Sequence, residues 1–360
     1  MHIKRLYLRH FRNYSEAEVL FSSEVNLIRG NNAQGKTNLL EALYLLGTGR
    51  SFRTPHLKEL IQNEASFFFI EAEFLKDGIA QHIRLSFDGE VRKLDYNNTS
   101  YAHFSTLLGL LPIVLLAPED VLLITGAPAD RRRFLDIHLA QSDPLYVYHL
   151  TRYHKAVKHR NFLLRKKTSA SLETWESLMV VSAAYLRQKR QEVVAGLAEG
   201  LKAGMRELSN NQDLLEIKYI SSYTDNYLQH RAKEMILGST LVGPHRDDLE
   251  IIINGQEARS FASQGQLRSA IAAMRLAQWQ HLKDHHNAPP LFCIDDFGVH
   301  LDGARREALL GKLSSFGQVF LTSPAFFENP THHVLDIEQG MIQTEGPCFS
   351  APKDNPSKIV

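Results

Sequence analysis

The chain carries the stretch Gly30-Asn31-Asn32-Ala33-Gln34-Gly35-Lys36-Thr37, which fits the phosphate-binding pattern G-x-x-x-x-G-K-[ST] at every fixed position. The apolar residues 25–28 before it predict a strand, and residues 38–46 predict a helix directly behind it. Such a loop directs backbone N–H groups and the positive end of the helix at one point, where a polyphosphate can bind. Lys36 would reach the β- and γ-phosphates, and the Thr37 hydroxyl would help to hold Mg²⁺. The stretch therefore predicts a site for ATP or GTP.

Composition indicates a globular protein outside the membrane and secreted classes. At 360 residues the chain is long enough for two lobes, and its 44% hydrophobic and 22% charged residues are ordinary values. No apolar run approaches the roughly 18–20 residues of a membrane span, and the first residues lack the apolar segment of a secretory signal. The two cysteines are far apart, and Cys293 lies in an apolar run, which predicts a reduced, cytoplasmic protein.

The patterns of strand and helix predict four parts of the chain. Residues 1–129 are strand-rich and form the first part of an ATPase lobe, residues 130–240 form a helical lobe, residues 241–345 form the second part of the ATPase lobe, and the polar residues 346–360 are disordered. Within the helical part, Gly196, Gly200 and Gly204 are four residues apart, a spacing that would permit close helix packing. Strands are predicted at residues 3–8, 18–21, 25–28, 67–74, 82–87, 90–94, 111–117, 249–253, 290–294 and 318–322, with a turn at Asp88-Gly89 and a long helix at 266–283.

An acidic pair follows one of these strands. The apolar residues 290–294 end in Asp295-Asp296, so a buried strand delivers two adjacent carboxylates. Asp295 would hold Mg²⁺ through water, and Asp296 would position or deprotonate the hydrolytic water. A strand that ends in a capping acid gives the same pattern, but the phosphate loop elsewhere in the chain favours the magnesium interpretation.

A second anion-binding pattern precedes the long helix. Ser263-Gln264-Gly265-Gln266-Leu267-Arg268 places Ser and Gly at a helix start, although a Ser N-cap explains the same residues. Its position ahead of the acidic pair is that of the signature segment of ABC-type ATPases. In that class the segment completes the ATP site of the opposite subunit, so that two ATP molecules lie between the subunits of a head-to-tail dimer. The resemblance implies that Ser263, Gly265 and Arg268 act across such a dimer.

Longer motifs along nearly the whole chain resemble the RecF family, bacterial recombination-mediator ATPases that are related to SMC-like proteins but lack their long coiled coil. The block around Arg131-Arg132-Arg133-Phe134-Leu135-Asp136 and the run Gly243-Pro244-His245-Arg246-Asp247-Asp248 are the most specific of these. The other matching motifs are Phe11-Arg12-Asn13-Tyr14, Pro118-Glu119-Asp120, Gly126-Ala127-Pro128, Arg160-Asn161, Ser263-Gln264-Gly265-Gln266, Asp295-Asp296 and His300-Leu301-Asp302.

The resemblance implies an α/β fold, an ABC-type P-loop ATPase head with an inserted, mostly helical lobe. It implies a slow, DNA-stimulated ATPase that binds double-stranded and gapped DNA as an ATP-dependent homodimer. It also implies mediator partners of the RecR and RecO type, which would help to load RecA at single-stranded gaps during repair and replication restart. The cofactors implied are ATP and Mg²⁺, and no membrane is involved.

The charge distribution and two local departures from the ABC-type pattern refine this expectation. The whole chain has a net charge of only +1, but seven Lys/Arg and no Asp or Glu lie between Arg152 and Lys167. Charge alone fits a solvated helix face as well as a phosphate-binding patch, and the resemblance favours contact with DNA. Thr322-Ser323-Pro324 stands where many ABC-type ATPases have a histidine for the γ-phosphate, which predicts slow hydrolysis. Phe297-Gly298-Val299, before His300, is loose for a dimer-contact loop.

Two other functions share the phosphate loop. The ATPase subunit of a transporter would place its signature much closer to the loop than Ser263 lies to Thr37, and the chain has no obvious coupling segment. A P-loop kinase of a small metabolite would leave the Ser263 segment and the Arg131–Arg133 block without a role. Glu119 and Asp120 fit either a position near ATP or a loop cap.

Overall fold

The computed structural model describes residues 1–297, 303–323 and 332–345. The strands are β1 (His2–Phe11), β2 (Tyr14–Leu20), β3 (Val25–Arg29), β4 (Phe68–Lys76), β5 (Ile79–Phe87), β6 (Arg92–Tyr96), β7 (Thr99–Ser100), β8 (Ile113–Leu116), β9 (Leu215–Ile220), β10 (Asp248–Ile253), β11 (Gln256–Glu257), β12 (Leu291–Ile294), β13 (Val319–Ser323), β14 (His333–Glu338) and β15 (Met341–Glu345). The α-helices are α1 (Lys36–Thr48), α2 (Leu122–Thr125), α3 (Pro128–Ser142), α4 (Pro144–Arg165), α5 (Leu172–Leu208), α6 (Arg231–Leu237), α7 (Ala258–Phe261), α8 (Gln264–His286) and α9 (Gly303–Leu310).

A mainly parallel sheet organises the ATPase lobe, with strand order β15-β14-β3-β13-β12-β8. The strands β14, β3, β13, β12 and β8 run parallel, and β15 pairs antiparallel with β14 at the edge. On one face of this sheet, α1 packs between it and a second, antiparallel sheet of six strands. On the other face, Trp279 and Leu282 of α8 pack with Phe292 and Leu321. Both faces are therefore buried, which explains why the strands β8 and β12 are continuous apolar runs.

A six-stranded antiparallel sheet, β2-β1-β4-β5-β6-β7, covers the outer side of α1. The predicted hairpin of β5 and β6 is present, but β6 begins at Arg92 rather than at residue 90, and Phe87 pairs with Arg92. The Asp88 carboxylate accepts hydrogen bonds from the N–H groups of Glu90 and Val91, so the side chain closes a longer turn. Gly89 alone of the Asp-Gly pair has a positive φ, of 90°.

The helical part packs on α8. The predicted glycines Gly200 and Gly204 of α5 pack against alanines of α8. A Cβ added at Gly200 would lie 3.1 Å from Ala277, and one at Gly204 would lie 3.3 Å from Ala273. The close helix packing predicted from these glycines is confirmed. One buried core joins α3, α4, α5, α8 and the strands β9 and β10, so the residues 130–240 share their core with part of the following segment. The division into lobes at residues 129 and 240 stays a prediction.

Sequence patterns identify most, but not all, of the elements. All the predicted strands are present, and the predicted helices at 38–46 and 266–283 are longer, as α1 and α8. The strands β7, β9, β11, β14 and β15 are absent from the predicted strands, and of these β9 had a clear signal, because Leu215, Ile217 and Tyr219 alternate with charged residues. Within the described ranges, no helix is both long and apolar enough to cross a membrane. Residues His300-Leu301-Asp302, Pro324 and the predicted disordered tail at 346–360 lie outside the described residues.

Candidate nucleotide-binding site

The phosphate loop connects the end of β3 to the start of α1. Gly30 and Gly35 have φ angles of 145° and 122°, which side chains with a Cβ rarely adopt. There is also no room for a side chain at Gly30, because an added Cβ would lie 2.3 Å from the Ile337 carbonyl oxygen. Gly35 is the N-cap of α1, so the first N–H groups of this helix face the loop. The predicted strand–loop–helix context of residues Gly30 to Thr37 is therefore present.

Lys36 points into the loop. Its Nζ donates hydrogen bonds to the carbonyl oxygens of Gly30 at 2.7 Å and Asn31 at 2.9 Å, and the residue is buried. Burial lowers the pKa of the Lys36 ammonium, and the nearby carboxylates of Asp296 and Asp295 oppose that change. A lysine ammonium held in the loop by two backbone carbonyl groups is suited to pair with a polyphosphate anion.

Asp295 lies beside the phosphate loop because β12 and β3 are both parallel to β13. Carboxyl ends of parallel strands share one edge of a sheet, and this edge brings together residues that are far apart in sequence. The Asp295 Oδ1 atom accepts a hydrogen bond from Thr37 Oγ1 at 3.1 Å and a second from Thr322 Oγ1 at 2.6 Å. Burial raises the pKa of the Asp295 carboxyl, while the bond from Thr322 opposes that rise.

Thr322 was named from the sequence only for standing where many ABC-type ATPases have a histidine, and its contacts with the acidic pair were not predicted. Its hydroxyl donates to Asp295 and accepts a hydrogen bond from the N–H of Asp296 at 2.8 Å, and the residue is fully buried. Asp296 itself is half-buried and has a φ of 48°, in the left-handed region. Thr322 thus orients both members of the acidic pair. The available signal was its position at the end of a buried strand, beside the strand of Asp295.

Residues of the first hairpin brace the phosphate loop. The Asn13 Nδ2 donates to the Gln34 carbonyl at 2.8 Å, and the Tyr14 hydroxyl donates to the Gly35 carbonyl at 2.9 Å. From the other side, the turn between β14 and β15 contributes the N–H of Gly340, which donates to the Gln34 carbonyl at 3.2 Å. The motif Phe11-Arg12-Asn13-Tyr14, noted above only as a resemblance, therefore supports the loop.

The Ser263 segment forms the start of α8. The Ser263 hydroxyl accepts from the N–H of Gln266 at 3.2 Å, and the Gln266 side chain accepts from the N–H of Ser263 at 2.9 Å, a reciprocal capping box. Ser263 and Arg268 are exposed. Arg268 also lines a cavity of about 180 Å³ whose walls include Asp295 and Asp296. The N-cap interpretation of Ser263 is confirmed, and the roles of Ser263, Gly265 and Arg268 across a dimer stay predictions.

Two arginines of the basic segments have structural roles. Arg160, one of the seven cations counted between Arg152 and Lys167, is fully buried and pairs with Glu176 and Glu234, so it is wrong to include it in a phosphate-binding patch. Arg131 is likewise buried, in an ion pair with Asp248. The cations of this stretch with exposed positions are Lys155, Lys158, Arg165, Lys166 and Lys167.

The loop after β8 bears on the alternative for Asp120, while the one for Glu119 stays open. Asp120 accepts from the N–H of Ala117 at 3.1 Å and pairs with Arg275 of α8, so it acts as a loop cap and ties the loop to this helix.

Comparison with known proteins places the whole chain in one group. The family model of the RecF/RecN/SMC N-terminal domain matches residues 2–327. The DNA replication and repair protein RecF of Protochlamydia amoebophila is 46% identical over 345 residues, which cover 91% of this chain and 96% of that protein. The protein of the same name from Chlamydia abortus is 40% identical, over 95% of this chain and 98% of that protein.

Solved structures agree with this grouping. The recombination mediator protein RecF-ATP in the RecFOR pathway is 29% identical with a TM-score of 0.88, covering 96% of this chain and 99% of that chain. The Smc head domain from Pyrococcus furiosus, bound to the C-terminal domain of ScpA, is 16% identical with a TM-score of 0.56, covering 96% of both chains. The second match bears on the fold alone, and together the two matches confirm the predicted α/β fold of an ABC-type ATPase head.

Proposed function

The chain belongs to the RecF family of DNA replication and repair proteins, and from this premise we propose that it is an ATP-dependent DNA-binding protein of recombinational repair and replication restart. The family match covers nearly the whole chain, which favours this function over the transporter ATPase and the metabolite kinase. The observation that carries the ATPase part is the contact of Thr37 with Asp295, which joins the phosphate loop to the acidic pair.

ATP would bind on the loop from Gly30 to Thr37, with Lys36 against its β- and γ-phosphates. The donor set at Thr37 and Asp295 fits Mg²⁺, because it consists of a hydroxyl and a carboxylate oxygen, the hard ligands that this ion prefers. Bound there, the ion would neutralise negative charge on the phosphates. Thr322 holds the carboxylate of Asp295 toward Thr37.

Hydrolysis needs a group that positions water, and Asp296 is the candidate base. The oxygen of water would bond to the γ-phosphorus while the bond from that phosphorus to the bridging oxygen breaks, giving ADP and phosphate. The proton of the water would pass to the Asp296 carboxylate. The chain has Thr322 and Ser323 where many related ATPases have a histidine, which supports slow turnover.

ATP would close a homodimer around DNA, and hydrolysis would reopen it. Ser263, Gly265 and Arg268 would contact the ATP of the partner subunit, and the exposed position of the Ser263 cap supports this role. The exposed lysines of α4 support contact with DNA phosphates. Mediator proteins of the RecR and RecO type would then help to load RecA at single-stranded gaps.

The test measures ATP hydrolysis with and without gapped duplex DNA, together with molecular mass by light scattering. We expect slow turnover that DNA stimulates, and a mass that doubles when ATP is added. Asp296→Asn should retain the ATP-dependent dimer with turnover reduced by roughly 100-fold or more, and Lys36→Ala should lose both ATP binding and the mass change. Asp284→Asn, an exposed acid on α8, is the matched control. Turnover indifferent to DNA from a constant monomer would overturn the proposal.

A further inference from the structure

One face of α4 carries a continuous stripe of aromatic and basic side chains. The side chains of this stripe are spaced alternately four and three residues apart in sequence, which places them within an arc of about 80° around the helix axis. The stripe consists of Tyr148, Arg152, Lys155, His159, Phe162 and Lys166, the last being the C-cap of α4. None of the six is buried, and α4 has no acidic residue from Pro144 to Arg165.

The aromatic members of the stripe expose ring surface beside positive charge. Tyr148 and Phe162 are 55% and 53% exposed, so both rings present a free face to solvent. The Arg152 guanidinium lies 6.0 Å from the ring centre of Tyr148, and the Lys166 ammonium lies 5.9 Å from that of Phe162. Each exposed ring thus has a cation one helical turn away.

The stripe is held on a rigid support. His159 stacks on Trp175 of α5, with ring centres 4.4 Å apart and planes within 6°. One residue further, the buried Arg160 pairs with Glu176 and Glu234 and hydrogen-bonds the Thr240 hydroxyl, which fixes α4 against α5 and α6. A preorganised helix face loses little conformational entropy when it binds a flexible ligand.

We propose that this stripe binds single-stranded DNA, with bases stacked on Tyr148 and Phe162 and phosphates paired with Arg152, Lys155 and Lys166. The inference rests on the proposed function, because it assigns part of the DNA contact of the protein to one helix face. Aromatic rings alternating with cations suit a strand whose bases are unpaired, since stacking needs free base faces. A duplex keeps its bases stacked on each other and offers mainly phosphates to the lysines.

The dimensions of the stripe agree with a short single-stranded segment. At a rise of about 1.5 Å per residue, the stripe from Tyr148 to Lys166 is roughly 27 Å long. That length accommodates about four or more nucleotides, the lower end of known single-strand sites. The charge of the strand complements a helix without acidic side chains.

The test measures binding of a labelled oligothymidylate and of a blunt duplex to the full chain by fluorescence anisotropy, in the presence of ATP. Tyr148→Ala combined with Phe162→Ala should weaken oligothymidylate binding roughly 10- to 100-fold and duplex binding by less than about twofold. Lys155→Ala should weaken both and reduce the salt dependence of single-strand binding by a slope of about 0.7. The matched control is Val181→Ala, an exposed apolar residue of α5.

The outcomes separate this inference from the proposed function. Three results would each overturn the proposal that the stripe binds single-stranded DNA. The double variant could bind oligothymidylate as the unaltered chain does, it could lose binding equally to oligothymidylate and to the duplex, or the unaltered chain could fail to bind oligothymidylate. DNA-stimulated turnover and the ATP-dependent dimer can be retained in all three cases, and their loss in the unaltered chain would instead overturn the proposed function. Equal melting temperatures of the variants and the control show that folding is unaffected.

Discussion

Thr322→Val removes the hydroxyl that orients the acidic pair and retains almost the same volume. The hydroxyl donates to Asp295 at 2.6 Å and accepts from the N–H of Asp296 at 2.8 Å, in a fully buried position. A hydrogen bond to an ionised group contributes about 1.5–3 kcal/mol and a neutral one about 1 kcal/mol. We therefore expect the free energy of unfolding to fall by about 2.5–4 kcal/mol.

The same substitution should weaken the use of Mg²⁺. Losing a group that orients a metal ligand commonly costs roughly 10- to 100-fold in metal affinity, so the Mg²⁺ concentration for half-maximal ATP hydrolysis should rise by about that factor. Because the bond from Thr322 opposes the upward shift in the pKa of Asp295, its loss should raise that pKa further. A proton then competes more strongly with the metal, and the defect of Thr322→Val should grow as the pH is lowered.

The assay is steady-state ATP hydrolysis titrated with Mg²⁺ at several pH values, together with thermal unfolding. Thr322→Ser keeps the hydroxyl but lacks the methyl group, and it should recover most of the Mg²⁺ response. If the methyl group mattered only through packing, Thr322→Ser would not recover that response. If Thr322→Val has the Mg²⁺ dependence of the unaltered chain at every pH, the argument that Thr322 positions Asp295 is refuted.

Two further predictions concern stability. Asp295→Asn should raise the melting temperature by about 2 °C in metal-free buffer at neutral pH, because burial raises the pKa of this carboxyl and its charged form costs stability above that pKa. The gain should shrink as the pH falls through the raised pKa, where the carboxyl of the folded chain is already neutral, and a gain independent of pH would contradict this assignment. Gly200→Val should lower the free energy of unfolding, measured by denaturant titration, by about 1–3 kcal/mol, since its Cβ would lie 3.1 Å from Ala277. Gly303→Ala, whose added Cβ would have no atom of the described residues within 4 Å, should have little effect in that titration.

The chemistry of the phosphate loop could be predicted because it is encoded locally. The residues from Gly30 to Thr37 need a strand before them and a helix behind them, and both follow from apolar runs next to the motif. The strand before Asp295 is identifiable for the same reason, because a strand buried on both faces is a continuous apolar run. The sequence by itself therefore predicted a nucleotide site, the acidic pair and most of the strands.

Only the tertiary structure decided which distant residues meet. Thr322 reaches Asp295 because β13 lies between β3 and β12, and strand order depends on packing rather than on local pattern. Arg160 has the same sequence signature as its exposed neighbours, yet helix rotation buries it against Glu176 and Glu234. Charge along a sequence is one-dimensional, whereas burial depends on which helix face meets the core. For this reason the aromatic and basic stripe of α4 could be identified only from the structure, which shows which residues of this helix face solvent.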